Sequence, residues 1–456
     1  MQDERAARTA ASAKIARRLI PFLALCYFVS YLDRVNLGFA ALTFRRDLGL
    51  SAEAFGLGAG VFFLGYFLFE APSNLLLERV GARVWIARIM VSWGLVSAGM
   101  ALVRDENSFY LVRFLLGLAE AGFFPGIILY LTYWFTAAER AKAVGLFMVA
   151  VPLSSMVGAP LSSWILEAFA GVGGLASWQW LFIIEAAPAL VLGVVTFFFL
   201  DDGPAQADWL SDAEKQALLA DLARERASRE ALRKFSLGEA LAHPRVIGLA
   251  FVYFGIVCGL YGFGFWAPQI VRAFGLTLGQ TGWVVALPFV AGALAMIPWS
   301  RHSDRTRERI WHVALPIFLG GAGLIAGAYL HSPVLAMIAL TFSSIGTFAA
   351  LPTFWTLPTA LLTGTAAAGG IAIVNAIGNL GGFVGPYLVG WIKDHALALG
   401  VVADAPGADA LALASIGGLM IGSGLLALAL GHDPALEAGA YDPALAAAPA
   451  LSKPET

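Results

Sequence analysis

The chain has 456 residues, of which 59% are hydrophobic and only 13% are charged, and its mean hydropathy is +0.76. Soluble domains carry roughly 25% charged residues, so this composition excludes them and indicates a membrane protein with many spans. The net charge of −2 predicts no general attraction to nucleic acid. The two cysteines, Cys26 and Cys258, each lie in an apolar run, which argues against a disulfide framework.

The apolar residues fall into twelve segments, each long enough to cross a hydrocarbon layer of ~30 Å as a helix. In chain order these segments are about Leu19–Leu42, Ala54–Leu77, Val84–Val103, Phe109–Phe135, Ala141–Phe169, Trp178–Leu200, Val246–Arg272, Thr277–Trp299, Ile310–Leu330, Pro333–Leu362, Ala367–Ile392 and Ala410–Leu430. We therefore predict an all-α polytopic membrane protein with twelve transmembrane helices.

A long charged stretch separates the sixth segment from the seventh. Within it, Ser211–Lys234 has the pattern of a surface helix that begins at a capping box of Ser211 and Glu214. The predicted domains are an N-terminal six-helix bundle (1–200), a cytoplasmic linker with an amphipathic helix (201–243), a C-terminal six-helix bundle (244–431) and a disordered cytoplasmic tail (432–456).

Lys and Arg are concentrated in the N-terminal lead, in the linker and in the loops on the same side of the membrane. Because cytoplasmic loops carry an excess of positive charge, both termini are predicted to be cytoplasmic. The lead is followed by a segment of spanning length, so we do not expect it to be a cleaved signal.

The first segment carries Asp33 and Arg34 side by side at membrane depth. An ionised group there costs several kcal/mol unless it faces a partner or a water-filled cavity, so this segment is predicted to line a polar path. Adjacent residues of a helix point ~100° apart, and each of the two side chains therefore requires its own partner. The structural alternative is a pair that only holds helices together.

The fourth segment carries Arg113 and Glu120, which lie two turns apart on one helix face. From the helical rise, Asp33 is expected near the depth of Arg113, and Arg34 is expected to reach Glu120. We predict an interlocked quartet in which the two arginines exchange between the two carboxylates and a substrate anion.

Three more carboxyls lie within the apolar segments of the first half: Glu70, Glu167 and Glu185. Glu167 and Glu185 lie near the outer helix ends, so they are expected to reach the interface and anchor their helices. For Glu70, structural pairing and a functional role both stay open.

Two similar acid–arginine turns follow the second and eighth segments, ERVGAR from Glu78 and SDRTRER from Ser303. Their matching places indicate duplicated halves, as in repeat-built secondary transporters. A solvated charge cluster is the alternative for either turn alone. We predict that charge pairs of these turns close the inner face and break during transport; the residues are Glu78, Arg79, Arg83, Asp304 and Arg305.

Four motifs resemble those of a known family, namely YLDRVNLGFA from Tyr31, GYFLFEAPSNLLLERVGAR from Gly65, RFLLGLAEAGFFPGIILYLTYWF from Arg113 and GGIAIVNAIGNLGGFVGPYLVGWI from Gly369. By these motifs nearly the whole chain resembles the major facilitator superfamily, and within it the anion:cation symporter family. Among its members, the chain looks similar to bacterial tartrate transporters and then to phthalate and hydroxyphenylacetate permeases. The first turn departs from the superfamily pattern, since it has Ser73-Asn74 and Glu78 where Gly and Asp are commoner.

The resemblance implies two pseudo-symmetric six-helix bundles that import a small organic anion with protons by alternating access. It also implies a monomer in the bacterial cytoplasmic (inner) membrane, with no cofactor and no metal. Proton binding is carried over to Asp33 and Glu120, and the link to substrate to Arg34. Charge balance supports the same coupling, because an anion that draws an arginine away favours proton uptake by the vacated carboxylate.

The second half offers hydrogen-bonding side chains instead of buried charge. Asn375 and Asn379 share one face of the eleventh segment, and Trp355 lies between two prolines of the tenth, which predicts an irregular helix there. Interhelical hydrogen bonding and packing are the alternatives for these residues. Substrate contact is predicted for a set that spans both halves: Arg34, Tyr66, Arg113, Trp355, Asn375 and Asn379, with Tyr261 and Gln269 as further candidates.

The predicted substrate is a hydroxylated dicarboxylate such as tartrate. Aromatic acids of the phthalate or hydroxyphenylacetate type and sugar acids are alternatives, and anion antiport is a third. A membrane sensor would need a soluble output domain, for which the linker and tail leave no room. An enzyme would need a nucleophile–base or metal constellation, and an ATP-driven pump a phosphate-binding glycine loop, neither of which occurs in the sequence.

Overall fold

The computed structural model describes residues 2–230, 244–361 and 364–431, and every regular element in these ranges is helical. Twelve stretches are long and apolar enough to cross a membrane, so the predicted all-α fold with twelve spans is confirmed. The predicted tail and the last residues of the predicted linker, 231–243, lie outside the described residues.

The N-terminal half contains the first six spans. Its helices, with the linker helix α9, are α1 Gln2–Asp47, α2 Ala52–Val80, α3 Ala82–Gly99, α4 Glu106–Glu120, α5 Phe123–Trp134, α6 Ala137–Met148, α7 Ala150–Ala168, α8 Ser177–Phe199 and α9 Asp212–Glu230. Helix α1 extends back to Gln2, so the charged lead is helical and continuous with the first span.

The C-terminal half contains the other six spans. Its helices are α10 Pro244–Gly264, α11 Ala267–Arg272, α12 Leu278–Thr306, α13 Ile310–Tyr329, α14 Pro333–Leu361, α15 Gly364–Asn379, α16 Gly381–His395 and α17 Ala405–Ala429. The tenth span was predicted to be irregular near its prolines, and the structure corrects this, because α14 passes through both Pro352 and Pro358 as one helix.

The fourth span is interrupted where the sequence shows one apolar run. Helix α4 ends at Glu120, and Gly122 has a φ of +84°, a conformation that favours glycine. A Cβ on Gly122 would lie 2.3 Å from Ser73 Oγ of α2, so the contact with α2 requires glycine as well. The interruption places the Glu120 side chain at a helix end in the middle of the membrane.

The linker helix α9 begins as predicted. The Ser211 N–H donates to Glu214 Oε2 (2.8 Å), and the Glu214 N–H donates to Ser211 Oγ (3.4 Å). Lys14 Nζ of α1 lies 2.8 Å from Glu214 Oε1, so the cap also joins the linker to the N-terminal half.

The two halves meet along helices that approach each other closely. We call the end of the bundle that carries the start of α1 the proximal end, and the opposite end the distal end. Near the distal end α2 crosses α16 so closely that a Cβ on Gly390 would lie 2.2 Å from Ala52 O. Helix α7 packs in the same way on α12, where a Cβ on Gly282 would lie 2.5 Å from Ser163 Oγ. Small residues thus allow the helices of opposite halves to pack without intervening side chains.

Candidate functional site

A buried ion pair lies between α1 and the end of α4. Arg34 donates to Glu120 Oε1 through Nη2 (2.5 Å) and Nε (3.1 Å), and Ser30 Oγ donates to the same oxygen (2.7 Å). Glu120 is 1% exposed, so a carboxylate there depends on these donors for its charge to be tolerated. The predicted contact of Arg34 with Glu120 is confirmed.

Tyr261 of α10 extends this pair to the C-terminal half. Its hydroxyl accepts a hydrogen bond from Arg34 Nη1 (2.9 Å) and shares another with the Tyr31 hydroxyl (3.1 Å). The Arg34 guanidinium also lies 5.0 Å from the ring of Tyr31 and 5.7 Å from that of Tyr66. Arg34 is therefore a cation enclosed by aromatic rings at the boundary of the two halves.

Asp33 points away from this boundary, toward α3. Trp93 Nε1 donates to its Oδ2 (2.6 Å), while Ser97 Oγ and Asn36 Nδ2 donate to its Oδ1 (3.0 and 3.3 Å). The carboxyl is 3% exposed. Because Asp33 directly precedes Arg34 on a helix, the two side chains diverge, and only Arg34 faces the other half.

The structure corrects the predicted pairing of Asp33 with Arg113. Arg113 donates to the backbone oxygens of Gly58 (3.3 Å) and Ala59 (3.2 Å) of α2, and its guanidinium lies 4.9 Å from the ring of Phe62. Among the described residues it forms no ion pair with either carboxylate. Of the predicted quartet, Arg34 and Glu120 thus form an ion pair, whereas Asp33 and Arg113 each hydrogen-bond to other groups.

A second polar contact crosses the boundary deeper along α2. Asn375 Nδ2 of α15 donates to Glu70 Oε1 (2.7 Å), and both side chains are 7% exposed. Trp355 of α14 packs edge-on against Tyr253, with ring centroids 4.9 Å apart. The predicted ligand Asn379 is half-buried one turn beyond Asn375. The structure therefore groups Arg34, Tyr66, Tyr261 and Asn375 around the boundary, and sequence reasoning placed too little weight on Tyr261.

The predicted closing residues of the acid–arginine turns lie at the proximal end. Glu78, Arg79 and Arg305 are exposed, the Arg83 backbone N–H donates to Asp202 Oδ1 (2.9 Å), and Asp304 pairs with Arg309 (2.7 Å). At this end, the ion pairs of Arg8, Lys14 and Arg309 stay within one half or join α1 to the linker.

At the distal end, carboxylates of each half cap helices of the opposite half. Asp394 of α16 accepts hydrogen bonds from the backbone N–H groups of Ala52 (3.2 Å) and Glu53 (2.6 Å), at the start of α2. Glu167 of α7 accepts one from the Gly279 N–H at the start of α12 (2.6 Å). These are pseudo-equivalent positions, and each carboxylate meets the N-terminal end of a helix, where the macrodipole favours negative charge. Neither contact could be predicted from the sequence, because caps between distant helices leave no local pattern.

Glu185 also departs from expectation. It was predicted to reach the interface, but it is 1% exposed inside the N-terminal half, where Ser162 Oγ donates to its Oε1 (2.7 Å). Where side chains are described, no group of three or more His, Cys, Asp or Glu residues is arranged to hold a metal ion.

Comparison with known proteins adds the family. Residues 23–386 match the model of the Major Facilitator Superfamily. Two Agrobacterium vitis proteins named "Putative tartrate transporter" are 52% and 49% identical to this chain; the first alignment covers 84% of each chain, and the second covers 94% of this chain and 96% of the relative. The chain also shares its fold with the partially occluded, inward-open xylose transporter XylE from E. coli, at a TM-score of 0.69 and 12% identity over 90% of this chain and 97% of the other.

Proposed function

Because the chain belongs to the major facilitator superfamily and is a secondary transporter of organic substrates, we propose that it imports a small hydroxylated dicarboxylate such as tartrate together with protons. One observation carries this proposal. Arg34, a cation enclosed by aromatic rings where the halves meet, is held by Glu120 on one side and by Tyr261 on the other.

Proton coupling follows from the competition for Arg34. A substrate carboxylate that binds Arg34 draws it from Glu120, and the vacated carboxyl, which is buried, then takes up a proton. Asp33 binds the second proton in this scheme. One unit of pKa change corresponds to ~1.4 kcal/mol, so a shift of one or two units supplies a coupling energy typical of linked sites.

Recognition of the substrate is shared between the halves. Arg34 and Arg113 supply positive charge near the N-terminal half. The hydroxyls and the second carboxylate of the substrate are bound by hydroxyl, indole and amide groups, which belong to Tyr66, Trp355, Asn375 and Asn379. The names of the two Agrobacterium vitis relatives support tartrate. The aromatic side chains around Arg34 favour a second candidate, an aromatic acid of the phthalate type.

In the proposed alternating-access cycle, the proximal and distal ends of the bundle open in turn. The distal contacts of Asp394 and Glu167 support a distal-closed arrangement here, and the acid–arginine turns would close the proximal end in the other state. The positive charges predict that the proximal end is cytoplasmic, so the proposed arrangement is open toward the cytoplasm. We propose a monomer in the bacterial cytoplasmic membrane with both termini inside.

The test is uptake of labelled tartrate into proteoliposomes, with and without an inward proton gradient. Wild type is expected to accumulate tartrate only with the gradient, and Asp33→Asn and Glu120→Gln are expected to lose accumulation. Substrate exchange without a gradient should persist in these two variants, because exchange requires no net proton transfer. Glu106→Gln, an exposed carboxyl on the same helix as Glu120, is the matched control and should behave as wild type.

Two results would contradict the proposal. Wild-type uptake that ignores the proton gradient would exclude proton coupling. Absence of tartrate exchange in folded protein, with exchange of phthalate instead, would replace the hydroxylated dicarboxylate with the aromatic acid.

A further inference from the structure

Glu70 differs from the other carboxyls around the site in what holds it. Its Oε1 accepts the hydrogen bond from Asn375 of the opposite half, and its Oε2 is buried with no hydrogen-bond partner among the described residues. Asp33 and Glu120, in contrast, each accept three hydrogen bonds, and two of those to Glu120 come from Arg34. Glu70 thus has the environment of a carboxyl that is not permanently ionised, since a buried carboxylate with no cation in contact is costly.

The charges that face Glu70 leave it no cation of its own. The charge that acts on Glu70 is that of Arg34 from α1, and the titratable tyrosines nearby are Tyr253 from α10 and Tyr66 on α2 itself, which also lies near Glu120 of α4. Arg34 is the cation in this group, and it is already bonded to Glu120 and Tyr261. A proton is therefore what would neutralise Glu70 when the site fills with negative charge.

We propose that Glu70 is a third proton-binding carboxyl of the transport cycle, and that Asn375 links its proton to the substrate. This inference rests on the proposed function. A substrate anion that takes the Asn375 amide removes the single donor from Glu70 and adds negative charge beside it, and both changes favour the protonated carboxyl. Conversely, an ionised Glu70 holds Asn375 and repels the anion, which promotes release. Glu70 and the anion thus compete for the same Asn375 amide.

The first test is the pH dependence of tartrate affinity in the purified full-length protein, measured by calorimetry. The slope of log Kd against pH reports the protons taken up with the ligand, so Glu70→Gln should lower the slope by about one where Glu70 titrates. Gln keeps an acceptor for Asn375 and mimics the neutral acid, so tartrate should bind this variant well at high pH. An unchanged slope in Glu70→Gln would overturn the inference.

The matched control is Glu185→Gln. Glu185 is also a buried carboxyl with one bonded oxygen and one oxygen without a partner in the described structure, but its partner Ser162 lies in its own half. Its removal should leave the slope as in wild type. If the slope fell equally in both variants, loss of either buried carboxyl would have the same effect, and the specific role of Glu70 would be overturned.

A second readout needs no substrate and therefore separates this inference from the proposed function. A protonated carboxyl has an infrared C=O band that disappears on ionisation, so wild type without ligand should lose such a band as the pH rises. The band that is missing at every pH in Glu70→Gln and kept in Asn375→Ala is that of Glu70, because the other carboxyls are present in all three proteins. Identical spectra of wild type and Glu70→Gln across the titration would show that Glu70 binds no exchangeable proton, whatever the substrate is.

Discussion

At the scale of single residues, the site depends on how each buried charge is satisfied. Arg34 donates to groups of both halves, whereas Arg113 donates to backbone oxygens of α2 alone. Arg34 therefore loses a partner whenever the halves separate, and Arg113 does not. A side chain whose hydrogen bonds depend on the conformation can couple a ligand to that conformation, because the ligand replaces the lost partner.

The Tyr261 hydroxyl is expected to position Arg34 for the substrate. Tyr261→Phe removes a hydrogen bond to a charged group, which contributes ~1.5 kcal/mol or more, so the KM for tartrate exchange should rise about tenfold. Tyr31→Phe is the control, since its hydroxyl bonds Tyr261 but not Arg34, and a smaller effect is expected. Equal KM values for wild type and Tyr261→Phe would show that Arg34 does not need this contact.

At the scale of elements, helix ends carry much of the specific chemistry. The interruption at Gly122 ends α4 at Glu120, and the capping box starts α9 at Ser211. The linker helix is not held by apolar contacts alone, because Lys14 pairs with Glu214 and Arg8 pairs with Asp221 (2.9 Å). These pairs attach α9 to the proximal part of α1.

Glu214 is expected to stabilise this attachment in a pH-dependent way. The hydrogen bond from Lys14 Nζ, followed by that from the Ser211 N–H, holds the pKa of Glu214 below its usual value. The contribution is therefore complete above the unfolded-state pKa of about 4.3 and is lost as the pH falls through the lower folded-state value. Glu214→Ala should cost ~1 kcal/mol at neutral pH, measured as a lower thermal midpoint in detergent.

The comparison variant for this prediction is Lys14→Ala. It removes the ion pair but leaves the capping box, so its midpoint should lie between those of wild type and Glu214→Ala. A Glu214→Ala midpoint that equals the wild-type value at neutral pH would show that the cap does not contribute.

At the scale of the whole molecule, the halves are joined at the distal end by two reciprocal caps. Asp394 serves α2 and Glu167 serves α12, so each half contributes one carboxylate and one helix start. These contacts exist only while the distal end is closed. They therefore stabilise that state relative to any arrangement in which the distal ends have separated.

Removing both charges should shift the population toward the distal-open state. In Glu167→Gln/Asp394→Asn, spin labels at Arg104 and Leu399, exposed distal positions of opposite halves, should show a larger fraction of long distances. Asp105→Asn is the control, because Asp105 caps α4 within its own half through the Ser108 N–H (2.8 Å). A distance distribution unchanged from wild type would contradict a role of the reciprocal caps in closure.

Sequence reasoning succeeded for properties that depend on local pattern or on a single helical rise. Span number and the start of α9 follow from hydropathy and capping residues, and the meeting of Arg34 with Glu120 follows from depth in two antiparallel helices. It failed where helix rotation decides, as in the pairing of Asp33 with Arg113. Depth along a helix can be counted from sequence, whereas the direction of a side chain requires the positions of all neighbouring helices.

Length, hydropathy and charge are properties of each segment, so the sequence alone predicts a membrane protein of twelve helical spans with an aspartate, a glutamate and two arginines at membrane depth. Which donor each carboxyl meets depends on the packing of the helices: Trp93 and Ser97 for Asp33, Arg34 for Glu120, and Asn375 for Glu70. The physical reason is that a buried charge is satisfied by whichever group the packed helices bring within about 3 Å, and that group is often far away in the chain.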